Sequence, residues 1–421
     1  MVEIELKNVT KSFGKIKALE NINLKINDKE YFVILGPTGA GKTTLLKIIA
    51  GLIKPDSGRV FFNGKEVTDL PPNKRNLGYV FENYALFPHM NVFQNISYSG
   101  RVKDRDPELI KTLTDQVLMI TLLKGRNDAY PHQLSGGMQQ RVALCRALLN
   151  LESTGLLLLD EPLKALDAGL RMSLRKELLD MSKSKYLQLT TVHVTNDTQE
   201  AMMIADRIVI LNKGKIIQIG TPYEIFYRPK NLFVANFMSE INCFKAICLK
   251  SIPAHNIPTK KPISDKFLNL ISTDTIPIAL KLNANTSFIV NVPKTTYEKL
   301  NDNEQLLLVV RTNHFKIRLG DRTTDKLNSL MGIIKSRQFI GYYYRFEIEI
   351  NDKNSIDIIR PRIGDYNDLK SNTLIIYIPA TNETYQQFTE NKQVTVYFPK
   401  ELGIVFKLPS ESEFEEVFTP K

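Results

Sequence analysis

Short apolar runs alternate with segments of helical periodicity over residues 1 to about 235. The clearest runs lie in EYFVIL at 30–35 and GLLLLDEP at 155–162, and both are continuous rather than alternating in polarity. A continuous run of this length is typical of a strand that is buried on both faces of a parallel sheet. The first run leads into a glycine-rich turn and then into KTTLLKIIAGL, whose apolar positions suit a helix. The pattern predicts an α/β domain with a largely parallel sheet.

From about residue 240 the pattern changes to β-rich segments that are separated by Asn, Asp, Gly and Pro. They include TSFIVNV, EQLLLVVRT, GIIKSRQFIGYYYRFEIEI, TLIIYIPA and QVTVYFP. This texture predicts one or two small barrels or sandwiches. We therefore predict a first domain at 1–238 and an all-β domain of two modules at 239–421, with 227–242 as the connection.

Composition and charge indicate the class of protein and its expected partners. The chain has 421 residues, of which 43% are hydrophobic and 24% charged, as is ordinary for soluble globular protein. No apolar run approaches the roughly 20 residues that cross a bilayer, and the N-terminal stretch does not resemble a secretory signal, so we expect a cytosolic chain. The net charge of +11 would suit nucleic acid or an anionic membrane, but the lysines are scattered, which favours a solvated surface. Three cysteines show no metal-ligand or disulfide spacing.

The stretch GPTGAGKT at 36–43 fits the pattern G-x-x-x-x-G-K-[ST] between a predicted strand and a predicted helix. Glycines at these positions let backbone N–H groups close around phosphate oxygens. Lys42 would supply a cation to the β and γ phosphates, and Thr43 would offer a hydroxyl to Mg²⁺. The motif predicts a nucleoside triphosphate site, the alternative being a merely structural glycine turn.

The acidic pair Asp160 and Glu161 follows the second buried run. A phosphate-binding loop needs a carboxylate that organises the metal, and the end of a neighbouring strand is where it is expected. Asp160 would hold Mg²⁺ through its water shell, and Glu161 would polarise the attacking water. The alternative is a solvated acidic turn.

The segment LSGGMQQRVALCRALL at 134–149 opens a helix with a Ser-Gly-Gly turn. The N-terminal amides and the positive dipole end of such a helix can bind an anion. Because the chain already holds phosphates with its first motif, this second anion site is expected to serve a nucleotide that another copy holds.

With these motifs the chain resembles the ATP-binding cassette (ABC) family, and more closely the ATPase subunits of importers that carry a C-terminal regulatory extension. Those importers include the maltose, polyamine, ferric-iron and molybdate types. The resemblance implies a P-loop NTPase fold with a helical subdomain at about 85–155, followed by an OB-like C-terminal domain. It also implies ATP and Mg²⁺ as cofactors, a homodimer, and ATP hydrolysis that energises solute uptake through separate membrane subunits.

The resemblance assigns roles position by position. It implies ATP contacts for Phe13, Gly36, Pro37, Thr38, Gly39, Ala40, Gly41, Lys42, Thr43, Thr44, Ser135, Gly136, Gly137 and Asp167. It implies catalytic roles for Lys42, Glu82, Glu161 and Asn196, and Mg²⁺ ligation by Thr43, Glu82 and Asp160. Phe13 would stack on adenine, with core packing as the alternative, and Asp167 would belong to the D-loop, with a helix N-cap as the alternative.

The segment GYVFENYALFPHMNVFQNI at 78–96 matches the Q-loop and the surface that receives a permease subunit. Tyr84, Leu86 and Phe87 would then form part of an exposed apolar dock. The resemblance therefore implies a peripheral location on the inner face of the cell membrane, and no nucleic-acid partner is expected.

Three positions depart from the family pattern at sites where chemistry is expected. Glu82 stands where glutamine is usual, and it adds a negative charge near the γ-phosphate. Lys164 replaces a D-loop serine, and it either contacts the phosphates of a partner or points to solvent. Asn196 occupies the position of the switch histidine, and it cannot become cationic or relay a proton.

His193 lies three residues earlier in TTVHVTNDTQEAM. An odd offset along a strand points its side chain to the opposite face, so we expect it to pack within the sheet.

Glu82 and Asn196 together predict a slow or unusually regulated ATPase. Two alternatives remain at this level, namely a regulatory subunit that dimerises with ATP but hydrolyses little, and a soluble ABC protein that acts on nucleic acid.

Overall fold

The computed structural model divides the chain into two compact units, Met1–Ile225 and Phe226–Lys421. It describes residues 2–121, 123, 125–151, 155–164, 168–182, 189–250, 275–284, 286–320, 328–351, 356–359, 370–410, 413, 414 and 417. No helix within these residues has the length and apolar composition that crossing a bilayer demands.

Two sheets form the first unit. The described strands are β1 (Ile4–Phe13), β2 (Ile16–Ile26), β3 (Tyr31–Leu35), β4 (Ser57–Phe62), β5 (Lys65–Glu66), β6 (Leu77–Val80), β7 (Leu156–Asp160), β8 (Thr190–Thr195), β9 (Arg207–Asn212) and β10 (Lys215–Gly220). One sheet has the order β2-β1-β4-β5 and is antiparallel. The other has the order β10-β9-β3-β8-β7-β6 and is parallel except for β10.

The described helices over residues 42–227 follow in chain order, and the last of them crosses the boundary between the units. They are α1 (Lys42–Ala50), α2 (Val92–Val102), α3 (Pro107–Ile120), α4 (Gly136–Asn150), α5 (Ala168–Ser182), α6 (Thr198–Ile204) and α7 (Pro222–Tyr227). The three helices α2, α3 and α4 lie between β6 and β7 in the chain. Every residue of β3 and β7 is buried, and one apolar core joins both sheets to α1. The predicted α/β domain with a largely parallel sheet is confirmed.

The second unit is β-rich. Its described strands are β11 (Ile241–Leu249), β12 (Thr275–Lys281), β13 (Ser287–Pro293), β14 (Gln305–Arg311), β15 (Lys316–Leu319), β16 (Asn328–Phe339), β17 (Tyr343–Ile350), β18 (Ile358–Ile359), β19 (Lys370–Ser371), β20 (Thr373–Pro379), β21 (Gln393–Phe398) and β22 (Ile404–Lys407). Its described helices are α8 (Leu232–Met238), α9 (Lys294–Lys299) and α10 (Asn382–Gln387). The sequence predicts an all-β domain. Because the second unit also contains these helices, it is better described as β-rich.

Two sheets of the second unit enclose a common core. One has the path β13-β12-β11-β14-β22, with β18 and β19 attached through β11, and the other has the order β15-β21-β16-β17-β20. Phe244 and Phe288 from the first sheet and Phe346 and Phe398 from the second are buried in the same apolar cluster. The sequence predicts two modules in this region. In the structure, apolar side chains from both sheets belong to a single buried cluster.

Arg311 binds the segment that precedes the predicted boundary at 238/239. Its side chain is fully buried, and its guanidinium donates to the carbonyl oxygen of Ala235 at 2.9 Å, to Ser239 and to the carbonyl oxygen of Phe226. Burial lowers the pKa of Arg311 to about 10, so it remains a cation at neutral pH. A buried cation requires such partners, and this one attaches residues 226–239 to β14.

His314 follows Arg311 closely, and its ring stacks on Tyr227 with centroids 6.2 Å apart. Burial, and then the Arg311 cation, lower the pKa of His314 from 6.5 to about 4. Between these two values the unfolded chain binds more protons than the folded one, so stability falls as pH falls through this window. We expect the free energy of opening of β14 to drop by about 2 kcal/mol from pH 7 to pH 5.

Hydrogen exchange of the β14 amides in the full chain measures this drop. In His314→Phe the drop should largely disappear, although the variant is less stable at every pH. His132→Gln changes an exposed histidine of the first unit and should keep the drop. An unchanged pH dependence in His314→Phe would assign the effect to another group.

Candidate functional site

The carboxyl ends of three neighbouring strands meet at one edge of the parallel sheet. In register, Leu35 of β3 pairs with Thr195 of β8, and Val194 of β8 pairs with Asp160 of β7. The residues that directly follow these strands therefore share that edge. They are the glycine-rich loop after β3, Glu161 after β7 and Asn196 after β8. This is where open α/β sheets bind their ligands.

The loop after β3 requires glycine at two positions. A Cβ on Gly36 would lie 2.1 Å from the carbonyl oxygen of Leu211, and a Cβ on Gly41 would lie 2.3 Å from that of Ala18. Gly41 also has a left-handed backbone, with φ of 99°, at the N-cap of α1. The loop is consequently packed against two other segments, while Thr38 and Gly39 at its tip remain exposed.

Lys42 is buried inside this loop. Its ammonium donates to the carbonyl oxygens of Gly36 at 2.9 Å and Pro37 at 3.0 Å, and it lies 3.9 Å from the Glu161 carboxylate. Burial lowers the pKa of Lys42, and the Glu161 charge opposes that shift. The cation thus lies inside the loop, and its contact with phosphate oxygens stays a prediction.

Asp160 is held from two sides. Thr43 Oγ1 donates to its Oδ1 at 2.8 Å, and the Tyr79 hydroxyl donates to its Oδ2 at 3.1 Å. Burial, and then the Asp160 charge, raise the pKa of Tyr79, so the phenol stays a proton donor. No motif in the sequence pointed to Tyr79. Its position could have indicated a role, because Tyr79 lies near the carboxyl end of β6, the strand beside β7.

Glu161 has an unusual backbone. Its φ is 43°, in the left-handed region that a non-glycine residue rarely adopts, and its N–H donates to the carbonyl oxygen of Val194 at 2.9 Å. Such conformations cluster at functional sites because the surroundings must hold them. The side chain is mostly buried, and Glu161 Oε2 lies 3.2 Å from the Lys164 ammonium.

Lys164 is exposed in the single chain, as the solvent alternative has it, and its ammonium is also paired. Its ammonium donates to Glu82 Oε1 at 2.9 Å, and it lies near Glu161 as well, so it bridges two carboxylates within its own chain. The hydrogen bond from Lys164 to Glu82 is the main cause that raises the pKa of Lys164. The cation is therefore retained across the neutral range.

Asn196 is exposed and lines a polar cavity of about 240 Å³. Glu161, Lys164 and Arg171 line the same cavity. Asn196, at the switch position where the family has histidine, thus lies at the same cavity as Glu161, the carboxylate that would polarise water. The structure brings Asn196 and Glu161 together as the resemblance implies.

His193 is fully buried in the sheet, where packing was expected. It also has specific polar partners, since its Nδ1 lies 2.9 Å from the Tyr31 hydroxyl and its Nε2 lies 3.3 Å from Glu200 Oε1. Burial acts to raise the pKa of Glu200, but hydrogen bonds from His193 and Thr195 outweigh it, and the pKa is lowered overall. His193 therefore belongs to a buried network and does not line the cavity itself, although Glu200 and Thr195 do.

Ser135 caps the long helix α4. Its Oγ accepts a hydrogen bond from the Met138 N–H at 3.4 Å, as an N-cap serine does. Ser135 and Gly136 are exposed, and nothing lies within 4 Å of the position that a Cβ on Gly136 would occupy. The turn consequently presents the helix N-terminus to open space.

Phe13 and Asp167 are two further residues that the resemblance predicts to contact ATP. The side chain of Phe13 is 48% exposed at the end of β1, which removes core packing as an alternative. Adenine stacking by Phe13 stays a prediction. Asp167 lies outside the described residues.

The expected exposure of Tyr84 is wrong. Tyr84 is only 6% exposed and belongs to an apolar core with residues of α4 and β7. Tyr84 and Ala85 both have left-handed backbones, and Arg146 donates to their carbonyl oxygens at 3.0 and 2.9 Å. This turn buries the Tyr84 ring and directs the chain back to the surface.

An apolar groove of about 740 Å³ lies beside that turn. Its apolar lining includes Leu52, Phe81, Ala85, Phe87, Tyr98 and Val102. Part of the segment predicted as a dock thus lines a groove, together with Leu52 and the later part of α2, which lie outside that segment.

The arrangement at the sheet edge defines a P-loop nucleoside triphosphatase. A family model described as ABC transporter matches residues 19–164. The spermidine/putrescine import ATP-binding protein PotA of Clostridioides difficile is 45% identical over 361 residues, which are 85% of this chain and 92% of that protein. The chain belongs to the ABC transporter family.

Other relatives match over a shorter part of the chain. The spermidine/putrescine import protein PotA of Fusobacterium nucleatum is 46% identical over 242 residues, which are 58% of this chain and 63% of that protein. The sulfate/thiosulfate import protein CysA of Pectobacterium atrosepticum is 46% identical over 248 residues, which are 58% of this chain and 74% of that protein. The chain thus spans less than two thirds of the Fusobacterium relative but most of the Clostridioides one.

Proposed function

We propose that the chain is the ATP-hydrolysing subunit of a polyamine importer, and that its residues act as follows. Lys42 and the loop amides bind the β and γ phosphates, and Glu161 polarises the attacking water. The observation that carries this proposal is the convergence of Lys42, the Thr43–Asp160 pair and Glu161 at one edge of the sheet.

The oxygen ligands at this edge fit Mg²⁺. Thr43 and Asp160 are already joined by a 2.8 Å hydrogen bond, and Mg²⁺ prefers hard oxygen ligands of this kind. Thr43, Asp160 and Glu82 would hold the ion, which neutralises charge on the phosphates when bound. Tyr79 orients Asp160 by donating to its other oxygen.

A homodimer completes the site. The turn at Ser135, Gly136 and Gly137 presents an uncovered helix N-terminus, which suits the γ-phosphate of a nucleotide held by a second copy. Phe13, exposed at the end of β1, suits stacking on adenine. ATP would therefore lie at the seam between two copies.

The apolar groove beside α2 would receive a permease subunit, which places the chain on the inner face of the cell membrane. An uncovered groove with this lining is the kind of surface that marks a protein interface. Polyamine is the proposed solute because relatives matched over 92% of their length are named for spermidine and putrescine. The sulfate-importing relative matches over less of the chain and defines the competing solute.

A second candidate function rests on two residues of the site. Glu82 adds a carboxylate, and Asn196 lacks the acid–base capacity of histidine. These residues favour a subunit that dimerises with ATP and hydrolyses it slowly.

Uptake of labelled spermidine by cells that lack the gene for this chain tests the proposal. The wild-type chain should restore uptake, whereas Val102→Asp should lower it at least about tenfold because it puts a charge into the groove. Val102 is 65% exposed, so the fold should survive. Met119→Asp is the matched control, since Met119 is 60% exposed on α3 outside the groove lining.

Equal melting temperatures of the two variants and the wild type separate docking from folding. Wild-type uptake by Val102→Asp would contradict the dock. Restoration of sulfate uptake without spermidine uptake would contradict the solute.

A further inference from the structure

Lys164 connects two carboxylates that the catalytic edge needs in different roles. Its ammonium donates to Glu82 Oε1 at 2.9 Å and lies 3.2 Å from Glu161 Oε2. Glu82 follows β6, whereas Glu161 and Lys164 follow β7. The contact therefore ties together the ends of two neighbouring strands.

The charges around Lys42 show what Lys164 adds. Glu161, Lys164, Asp160 and Glu82 all interact electrostatically with the Lys42 ammonium. These five groups comprise three carboxylates and two cations. Without Lys164, three carboxylates would face one cation at the place where anionic phosphates must bind, and like charges in proximity disfavour one another.

We propose that Lys164 is a positioning residue for ATP hydrolysis, whose ammonium neutralises Glu82 and holds Glu161 through Oε2. This inference rests on the proposed roles of Glu82 and Glu161. It makes Glu82 and Lys164 a functional pair, so that the carboxylate at 82 is tolerated because the cation at 164 is present. Catalysis is sensitive to the orientation of such groups, and small displacements cost large factors in rate.

The pair contributes little to folding, which makes it open to mutation. The side chains of Glu82 and Lys164 are each 53% exposed in the single chain. Exposed ion pairs of this kind stabilise a fold only weakly. Variants at both positions should therefore fold, and changes in rate will report on the site.

Steady-state ATP hydrolysis by the full chain tests the pair. We expect Lys164→Ser to lower kcat roughly tenfold with KM changed less than about threefold, because Glu161 is misoriented while the loop still binds phosphates. The double variant Glu82→Gln with Lys164→Ser should recover most of that loss, since both charges are gone. Lys164→Arg should stay within about threefold of the wild type, because a guanidinium can donate to both carboxylates.

Lys54→Ser is the matched control, as Lys54 forms an exposed ion pair with Asp69 that does not involve the catalytic edge. It should leave kcat unchanged. A kcat of Lys164→Ser within twofold of the wild type would overturn the inference, and so would a double variant no faster than Lys164→Ser. A wild-type chain without any ATP hydrolysis would instead overturn the proposed catalytic roles, and the inference with them.

Discussion

Replacing Glu161 with glutamine should lower single-turnover ATP hydrolysis by roughly 10²–10⁴-fold and leave ATP binding intact. The carboxylate is mostly buried at the edge of the sheet, 3.9 Å from the Lys42 ammonium and next to the cavity that Asn196 lines. Glutamine keeps the shape of the side chain but cannot accept a proton from water. It also removes one negative charge near the phosphates, so nucleotide affinity should not fall.

Two measurements in parallel check this prediction, namely hydrolysis of labelled ATP in a single turnover and equilibrium binding of ATP. Glu66→Gln serves as a control, because Glu66 lies in β5 and its ion pair with Arg59 is exposed. Lys42→Ala should differ in kind, since it removes the cation in the loop and should weaken binding itself. Hydrolysis by Glu161→Gln at the wild-type rate would assign the base to another residue.

The sequence was sufficient for the parallel sheet and its functional edge. Continuous apolar runs predicted strands that are buried on both faces, and β3 and β7 are buried throughout. Because parallel strands carry their ligands at their carboxyl ends, the loop at 36–43 and the acidic pair at 160–161 had to share an edge. Local pattern and global fold agree there, so short stretches of sequence were informative.

The features that the sequence did not reveal depend on contacts between distant residues. Tyr84 is buried because Arg146, far along the chain, holds the turn at Tyr84 and Ala85. Lys164 reaches Glu82 across two strand ends, and the spacing of either residue in the sequence gives no sign of that pair. Arg311 lies far along the chain from the predicted boundary at 238, yet its buried guanidinium binds the carbonyl oxygen of Ala235 in the connection. Single-residue polarity does not encode such pairings.

Introducing histidine at the switch position should raise ATP turnover. Asn196 is exposed at the cavity shared with Glu161, so Asn196→His should not disturb the fold. An imidazole is longer than an amide and can become a cation, which provides the phosphate contact and the proton relay that asparagine lacks. Loss of a comparable group commonly costs roughly 10²-fold or more in rate, so its return should increase kcat at least about tenfold.

Steady-state ATP turnover should be measured for the wild type, Asn196→His, Asn196→Ala and Glu82→Gln. The comparison decides whether the residues at positions 82 and 196 make this ATPase slow. We expect the wild type to be slow, Asn196→His to be the fastest, and Asn196→Ala to fall below the wild type because the amide can still donate one hydrogen bond. His193 remains in all four proteins, yet its ring is bound to Tyr31 and Glu200 and cannot replace the missing group. A brisk wild type that neither Asn196→His nor Glu82→Gln improves would show that Asn196, Glu82 and Lys164 already form a fully active site.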